Sequence, residues 1–282
     1  MSMAFDEILA TAARTPFYRA RISAGAAWSD LPLTRRADLV RDQLVQAPLG
    51  TRHPADAEGP VRLGKTGSGD DLLLLGWSER ALACERRAGA RMLAGIGLEP
   101  STAIANTLPG ALVSPGSLLF GDVVEEHGAL DVPLGAIESD AAAKQAWELV
   151  DRVTPEVLCL EISTASRFLA AAPPAPRPWL RGILWLRRAG DTAPVAEIPV
   201  QVGTPAWQRV WLSVPEAASF TAWTCGKGVF HADAAVIAEV VDGLLALTPR
   251  EADASLLRYD SGLSATRVAA CECGGGEALR LS

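Results

Sequence analysis

Cys225 stands six positions before His231, with Gly226 and Gly228 between them, and Cys271 and Cys273 flank a single residue ahead of Gly274-Gly275-Gly276. Three thiolates and one imidazole are a tetrahedral zinc set, and glycine permits the tight turns that aim two sulfurs at one ion. Four protein ligands leave no open coordination position, so the expected zinc is structural. Five cysteines, an odd number, do not make a disulfide framework. Cys84 and Cys159 fall on the apolar patterns of a helix and a strand and are expected in the core.

A second chemistry lies in Gly64-Lys65-Thr66-Gly67-Ser68-Gly69-Asp70-Asp71, the glycine/hydroxyl loop of the chain, which follows a short apolar strand pattern. Loops of this kind wrap phosphates, because glycine lets backbone N–H groups approach an anion and hydroxyls add further donors. A hairpin turn or a solvent loop explains the same residues, and the two adjacent acids repel a phosphate. The histidines add little: His53 falls in a loop, and His127 follows Glu125-Glu126 as a cation at a helix end. Neither a nucleophile elbow nor a dinucleotide fingerprint is present.

The elements that must position these groups follow from composition and pattern. The chain has 282 residues, 49% of them hydrophobic and 21% charged, with a net charge of −7, so it can bury a large core and is not a disordered chain. No basic block gives the footprint of a nucleic-acid partner. The charge-free run from Pro100 to Gly121 is broken by prolines and glycines, so no membrane span is expected. Without a basic region and apolar core at the N-terminus, a cytoplasmic location is expected. Residues 1–57 read as helices, with Thr34 as an N-cap and Asp38 in the first turn that follows. Residues 58–205 alternate strand and helix patterns: helices over Ser78–Ala94, Leu118–His127, Ser139–Val153 and Ser163–Ala172, strands over Thr102–Asn106, Leu130–Leu134, Val157–Ile162 and Gly182–Leu186. That alternation predicts an α/β fold with a mostly parallel sheet. Residues 206–282 read as a smaller, mostly β region, with strands over Arg209–Val214, Phe220–Thr224, Val236–Val241, Leu244–Thr248 and Leu256–Tyr259.

Taken in order, these segments resemble the phenylacetate-coenzyme A ligase-like branch of the adenylate-forming enzymes. Thr15-Pro16-Phe17-Tyr18-Arg19, Leu31-Pro32-Leu33-Thr34-Arg35-Arg36-Ala37-Asp38-Leu39 and Ala47-Pro48-Leu49-Gly50 resemble its opening, and the glycine loop falls where that family has its phosphate loop. Asn106, Pro133-Leu134-Gly135, Thr154-Pro155-Glu156-Val157-Leu158, Gly228-Val229-Phe230-His231 and Leu257-Arg258-Tyr259-Asp260-Ser261-Gly262 follow in register, and Cys271-Glu272-Cys273-Gly274 resembles a CxCG segment. The resemblance covers nearly the whole chain and implies the N-terminal large domain of the adenylate-forming fold. It places ATP or AMP at Thr66, Gly67, Ser68, Gly69, Ser213, Glu216, Arg258 and Tyr259, with Glu216 as the magnesium-side carboxylate. A solvated turn glutamate is the alternative for Glu216. Coenzyme A is the implied acyl acceptor. Some family members carry zinc at the positions of Cys225, His231, Cys271 and Cys273.

The departures are as informative. The loop is shortened, with Asp70-Asp71 where the family has glycine and proline. Arg187-Arg188-Ala189-Gly190-Asp191 replaces the adenine-seating segment, and Leu263 stands where an aspartate binds the ribose. The C-terminal domain that carries the family's adenylating lysine is not found in this sequence. The expected function is therefore that of a degenerate, ligase-like protein that binds or activates a small carboxylic acid or acyl-thioester and is impaired in ATP use by itself. A homodimer, or a separate chain supplying the missing domain, is the expected partner. A non-catalytic scaffold of the same fold (a pseudoenzyme) and ATP-independent acyl transfer from a thioester stay open.

Overall fold

The computed structural model describes residues 2–23, 25–110, 115–191, 198–250 and 255–282. Helices α1 (Ser2–Ala13), α2 (Pro16–Arg19) and α3 (Arg36–Val45) open the chain. Thr15 caps α2 and Pro16 occupies its first turn, where a missing N–H costs nothing. The expected cap at Thr34 is not one: Arg35 is the N-cap of α3, and Asp38 accepts the Arg35 N–H at 3.0 Å. The Thr34 hydroxyl instead donates to Leu257 O at 2.8 Å and lies 2.9 Å from Tyr18 Oη. It was drawn away from the helix because its backbone bridges Tyr259, in the C-terminal region.

Strands β1 (Arg62–Thr66) and β2 (Leu73–Trp77) form a separate antiparallel hairpin. Then come α4 (Glu79–Gly95), β3 (Ala103–Asn106), α5 (Ser117–His127), β4 (Leu130–Pro133), α6 (Asp140–Val153), β5 (Val157–Glu161), α7 (Ala165–Ala170), β6 (Gly182–Arg188) and β7 (Trp207–Val214). Ser78 and Ser139 cap α4 and α6 by accepting N–H bonds from Ala81 and Ala142. The helix expected over Ser163–Ala172 is shortened to six residues. Strands β4-β3-β5-β6-β7 pair in parallel. Alternate residues face opposite layers: Ile104, Val157, Cys159, Leu184 and Leu186 pack with α4 and α5, whereas Ala105, Leu158, Leu160, Ile183 and Trp185 pack with α6 and α7. The proline-rich connector before β6 is held by Arg177, which pairs with Asp151 at 2.8 and 3.0 Å, donates to Pro173 O and Ala175 O, and lies over the Trp147 ring.

The C-terminal strands continue the same sheet. Beyond β7 the order is β8 (Ala218–Thr224), β9 (Phe230–Ala232), β13 (Ala278–Leu281), β12 (Tyr259–Val268), β11 (Leu244–Pro249) and β10 (Val236–Val241), all antiparallel, giving eleven strands. The sheet is thus parallel in one half and antiparallel in the other. The strand expected over Leu256–Tyr259 begins only at Tyr259 and runs ten residues. Among the described residues, no helix is long and apolar enough to cross a membrane.

Candidate functional site

The phosphate-type loop is the turn of the β1–β2 hairpin, so the hairpin and loop readings of the sequence coincide here. Gly67 has φ of +70°, and a Cβ there would strike Asp71 O and the Arg36 guanidinium, so only glycine fits. Arg36, at the start of α3, reaches into the turn. It donates to Asp71 Oδ2 and Asp71 O, both at 2.7 Å, to Thr66 Oγ1 at 3.0 Å, and to Glu216 Oε1. The Thr66 hydroxyl also donates to Glu216 Oε1, at 2.6 Å. Glu216, between β7 and β8, has a side chain only 6% exposed, so it is not a solvated turn residue. The repulsion expected from Asp71 is offset by Arg36.

These groups line a cavity of about 600 Å³ at the carboxyl ends of β6 and β7. Lys65, Thr66, Gly67 and Asp71 form one wall, Arg188-Ala189-Gly190-Asp191 a second, and Glu216, Tyr259, Ser261 and Gly262 a third. Arg188 is held by Glu161 at 2.5 Å and donates to Pro115 O at 3.0 Å. Burial raises the Asp191 carboxyl above its ordinary range, although it accepts the Arg188 N–H at 2.8 Å. Burial raises the Tyr259 phenol, and the nearby Glu216 adds to this. Lys65 makes no ion pair among the described residues.

Not every expected site residue meets here. Thr66, Gly67, Glu216 and Tyr259 line the cavity, whereas Ser68 and Gly69 stand exposed at the tip of the turn. Ser213 is fully buried in β7, its hydroxyl without a partner. Arg258 turns away: its Nη1 donates to Leu31 O at 2.6 Å and Ser29 O at 3.0 Å, and its Nε lies 3.5 Å from Glu239. Leu263 is buried in the main core. Asn106 donates to Asp131 at 2.7 Å, and residues 111–114 of the loop after it lie outside the described residues. Arg36 is the residue that pattern reading left unassigned. Its only signal was a basic pair beside the Leu-Pro-Leu-Thr segment.

The fold brings the Cys/His set together. One ligand atom from each of Cys225, His231, Cys271 and Cys273 lies within 4.8 Å of the others. Cys225 Sγ and Cys271 Sγ are 3.6 Å apart, and Cys273 Sγ is 3.2 Å from His231 Nε2. The Lys227 N–H donates to Cys225 Sγ at 3.4 Å and the Gly275 N–H to Cys273 Sγ at 3.3 Å, the outer hydrogen bonds that steady metal-bound thiolates. A Cβ at Gly275 would stand 2.9 Å from the imidazole and 3.2 Å from Cys273 Sγ, so glycine keeps this cradle open. Burial opposes ionisation of Cys225, but hydrogen bonds from Lys227, His231 and Cys271 bring its thiol down to about 6. Soft donors at these separations fit one tetrahedral ion of the zinc class. Cys84 and Cys159 are buried, as expected, and burial holds the Cys159 thiol far above its ordinary range.

No protein-family model and no curated protein matches this chain. Solved structures do. An open conformation of 2-hydroxyisobutyryl-CoA ligase, in complex with 2-HIB-AMP and CoA, superposes with a TM-score of 0.84 at 17% identity, covering 99% of this chain and 66% of the ligase. The thioesterification state of the same ligase gives a TM-score of 0.82 at 17% identity, over 99% of this chain and 65% of the ligase. The amide bond synthetase McbA from Marinactinospora thermotolerans gives 0.53 at 16% identity, over 84% and 51%. The chain spans about two thirds of the length of the ligases, and over that span it has the fold of the adenylate-forming enzymes.

Proposed function

We propose that this chain is a degenerate relative of the acyl- and aryl-CoA ligases, one that binds a small carboxylate or acyl group in the 600 Å³ cavity and does not, by itself, activate it with ATP. The observation that carries the reading is the Arg36 guanidinium, which holds both Thr66 and Glu216. In this arrangement the loop hydroxyl and the carboxylate are spent on an internal ion pair. A divalent cation at Glu216 would sit beside a fixed positive charge, which opposes its binding. Leu263 supplies no acceptor to a ribose, and Ser68 and Gly69 stand exposed at the loop tip and do not line the cavity. Lys65, without an ion-pair partner among the described residues, is the cation left to meet a carboxylate. The cavity lies within the volume range of small-molecule sites. Calorimetry should show weak MgATP binding, and carboxylate-dependent exchange of pyrophosphate into ATP should be absent. Low-micromolar ATP affinity, or exchange with any short-chain or aryl acid, would return the chain to the active ligases.

Cys225, His231, Cys271 and Cys273 are proposed to hold one structural zinc. The support is the donor set and its outer hydrogen bonds. The ion would tie the β8–β9 turn to the segment between β12 and β13, and with four protein ligands it would take no part in chemistry.

A further inference from the structure

Arg52, after α3, is 4% exposed, and its guanidinium has no hydrogen-bond or ion-pair partner among the described residues; its Nε is fully enclosed and unbonded. A buried guanidinium with its donors unmet is costly, so a group of this kind marks a place where something else belongs. Arg52 lines a second, smaller cavity of about 70 Å³, separate from the large one except that both share Pro215 and Glu216. Most of its wall is apolar, including Leu49, Trp77 and Ala218, and Glu85 of α4 is its other acid.

We propose that this cavity is a binding site for a small monocarboxylate, the oxygens paired with Arg52 and the short alkyl group against Leu49, Trp77 and Ala218. Three features select that ligand. A guanidinium with free donors matches the two oxygens of a carboxylate. The volume admits about four to six heavy atoms, the size of acetate to butyrate. The mostly apolar wall disfavours a doubly charged phosphate, whose charge one guanidinium does not neutralise. Burial pushes the Glu85 carboxyl up to about 7, partly opposed by hydrogen bonds from Ser219 and Trp77, so below neutrality this acid is in large part uncharged.

The test is calorimetry of the purified chain with propionate, and separately with inorganic phosphate, each with and without saturating AMP. Three variants accompany it: Arg52→Met, Ala235→Trp in the lining of the small cavity, and Lys65→Ala in the large one. Replacing an unpaired buried charge with an apolar chain of similar length should leave the fold intact, and Ala235→Trp blocks the site with Arg52 in place. The expected result is saturable propionate binding that AMP does not displace, that weakens about tenfold or more in R52M and A235W, and that persists in K65A. Phosphate should not compete. Absence of saturable binding, equal binding in R52M, or phosphate binding as tightly as propionate overturns the proposal. Loss in K65A with retention in R52M overturns it too, while leaving the reading of the large cavity standing.

Discussion

Arg36 joins residues that lie 30 and 180 positions away, Thr66 and Glu216, and that distance is why pattern reading passed over it. A basic pair beside a helix start gives no hint of a partner so remote. The Cys/His set was legible because each ligand type is specific and each pair sits beside glycines that permit its turn. Arg258 shows the opposite error: matched to a family segment, it was assigned to the site, yet it adopts φ of +46° and sends its guanidinium to the carbonyls of the N-terminal segment. Glu216→Ala leaves the Arg36 guanidinium without its buried partner and should lower stability by about 2 kcal/mol in urea unfolding, with Glu216→Gln costing less. Cys271→Ser removes one of four ligands. Elemental analysis should then fall from about one zinc per chain to a small fraction, with a lower melting temperature. A wild-type preparation without bound metal, or an unchanged melt in C271S, would remove the structural zinc from this account.

Helices α4 and α6 were legible to within a residue because a serine cap precedes an apolar stripe in each. Strand β12 extends well past the apolar pattern of Leu256–Tyr259 because, of its inward positions Ser261, Leu263 and Ala265, only Leu263 is a bulky apolar residue, although all three alternate with less buried ones. Helix packing supplies one prediction. Gly89 of α4 faces Val123 of α5 so closely that a Cβ would overlap the valine methyl groups. Gly89→Ala gains about 1 kcal/mol of helix propensity, but overpacking costs about 1–3 kcal/mol, so the variant should be less stable. Adding Val123→Ala should recover part of that loss, and a strictly additive double mutant would count against direct contact. The same helix carries Glu85, whose carboxyl moves from an ordinary 4.5 to about 7 in the fold. Its neutral form is preferred by the folded chain, so its contribution is fully present below pH 4.5 and is lost as pH rises through about 7. Glu85→Gln should therefore gain on the wild type between pH 5 and pH 8, by up to about 3 kcal/mol at the alkaline end, read from urea midpoints. A constant gap across that range would show that Glu85 ionises normally.

One continuous sheet changes what the three sequence segments mean for the whole molecule. Read by texture, residues 1–57, 58–205 and 206–282 differ, because texture reports local period and not which strand pairs with which. In the fold, Leu31 and Leu39 from the first segment, Leu184 and Leu186 from the second, and Leu247 and Leu279 from the third lie in one core cluster. Backbone contacts tie the ends together: Thr34 bridges Tyr259, the Thr34 N–H donates to Arg258 O at 3.1 Å, and the Asp260 N–H donates to Thr34 O at 2.9 Å. Arg258 adds its guanidinium bonds to Leu31 O and Ser29 O. The molecule should accordingly melt as one cooperative unit, with calorimetric and van't Hoff enthalpies in agreement. Arg258→Ala strands those carbonyls and should loosen the junction locally before the whole unfolds. Hydrogen exchange should then rise over residues 28–36 and in the strand pair β11–β12, and proteolysis should release the N-terminal segment, while bound metal stays near one per chain because the Cys/His cluster lies at the far end of β12. Uniform loss of protection across the sheet, or two separate thermal transitions in the wild type, would mean that the strand hydrogen bonds, not this arginine, join the segments, or that they are not joined into one unit at all.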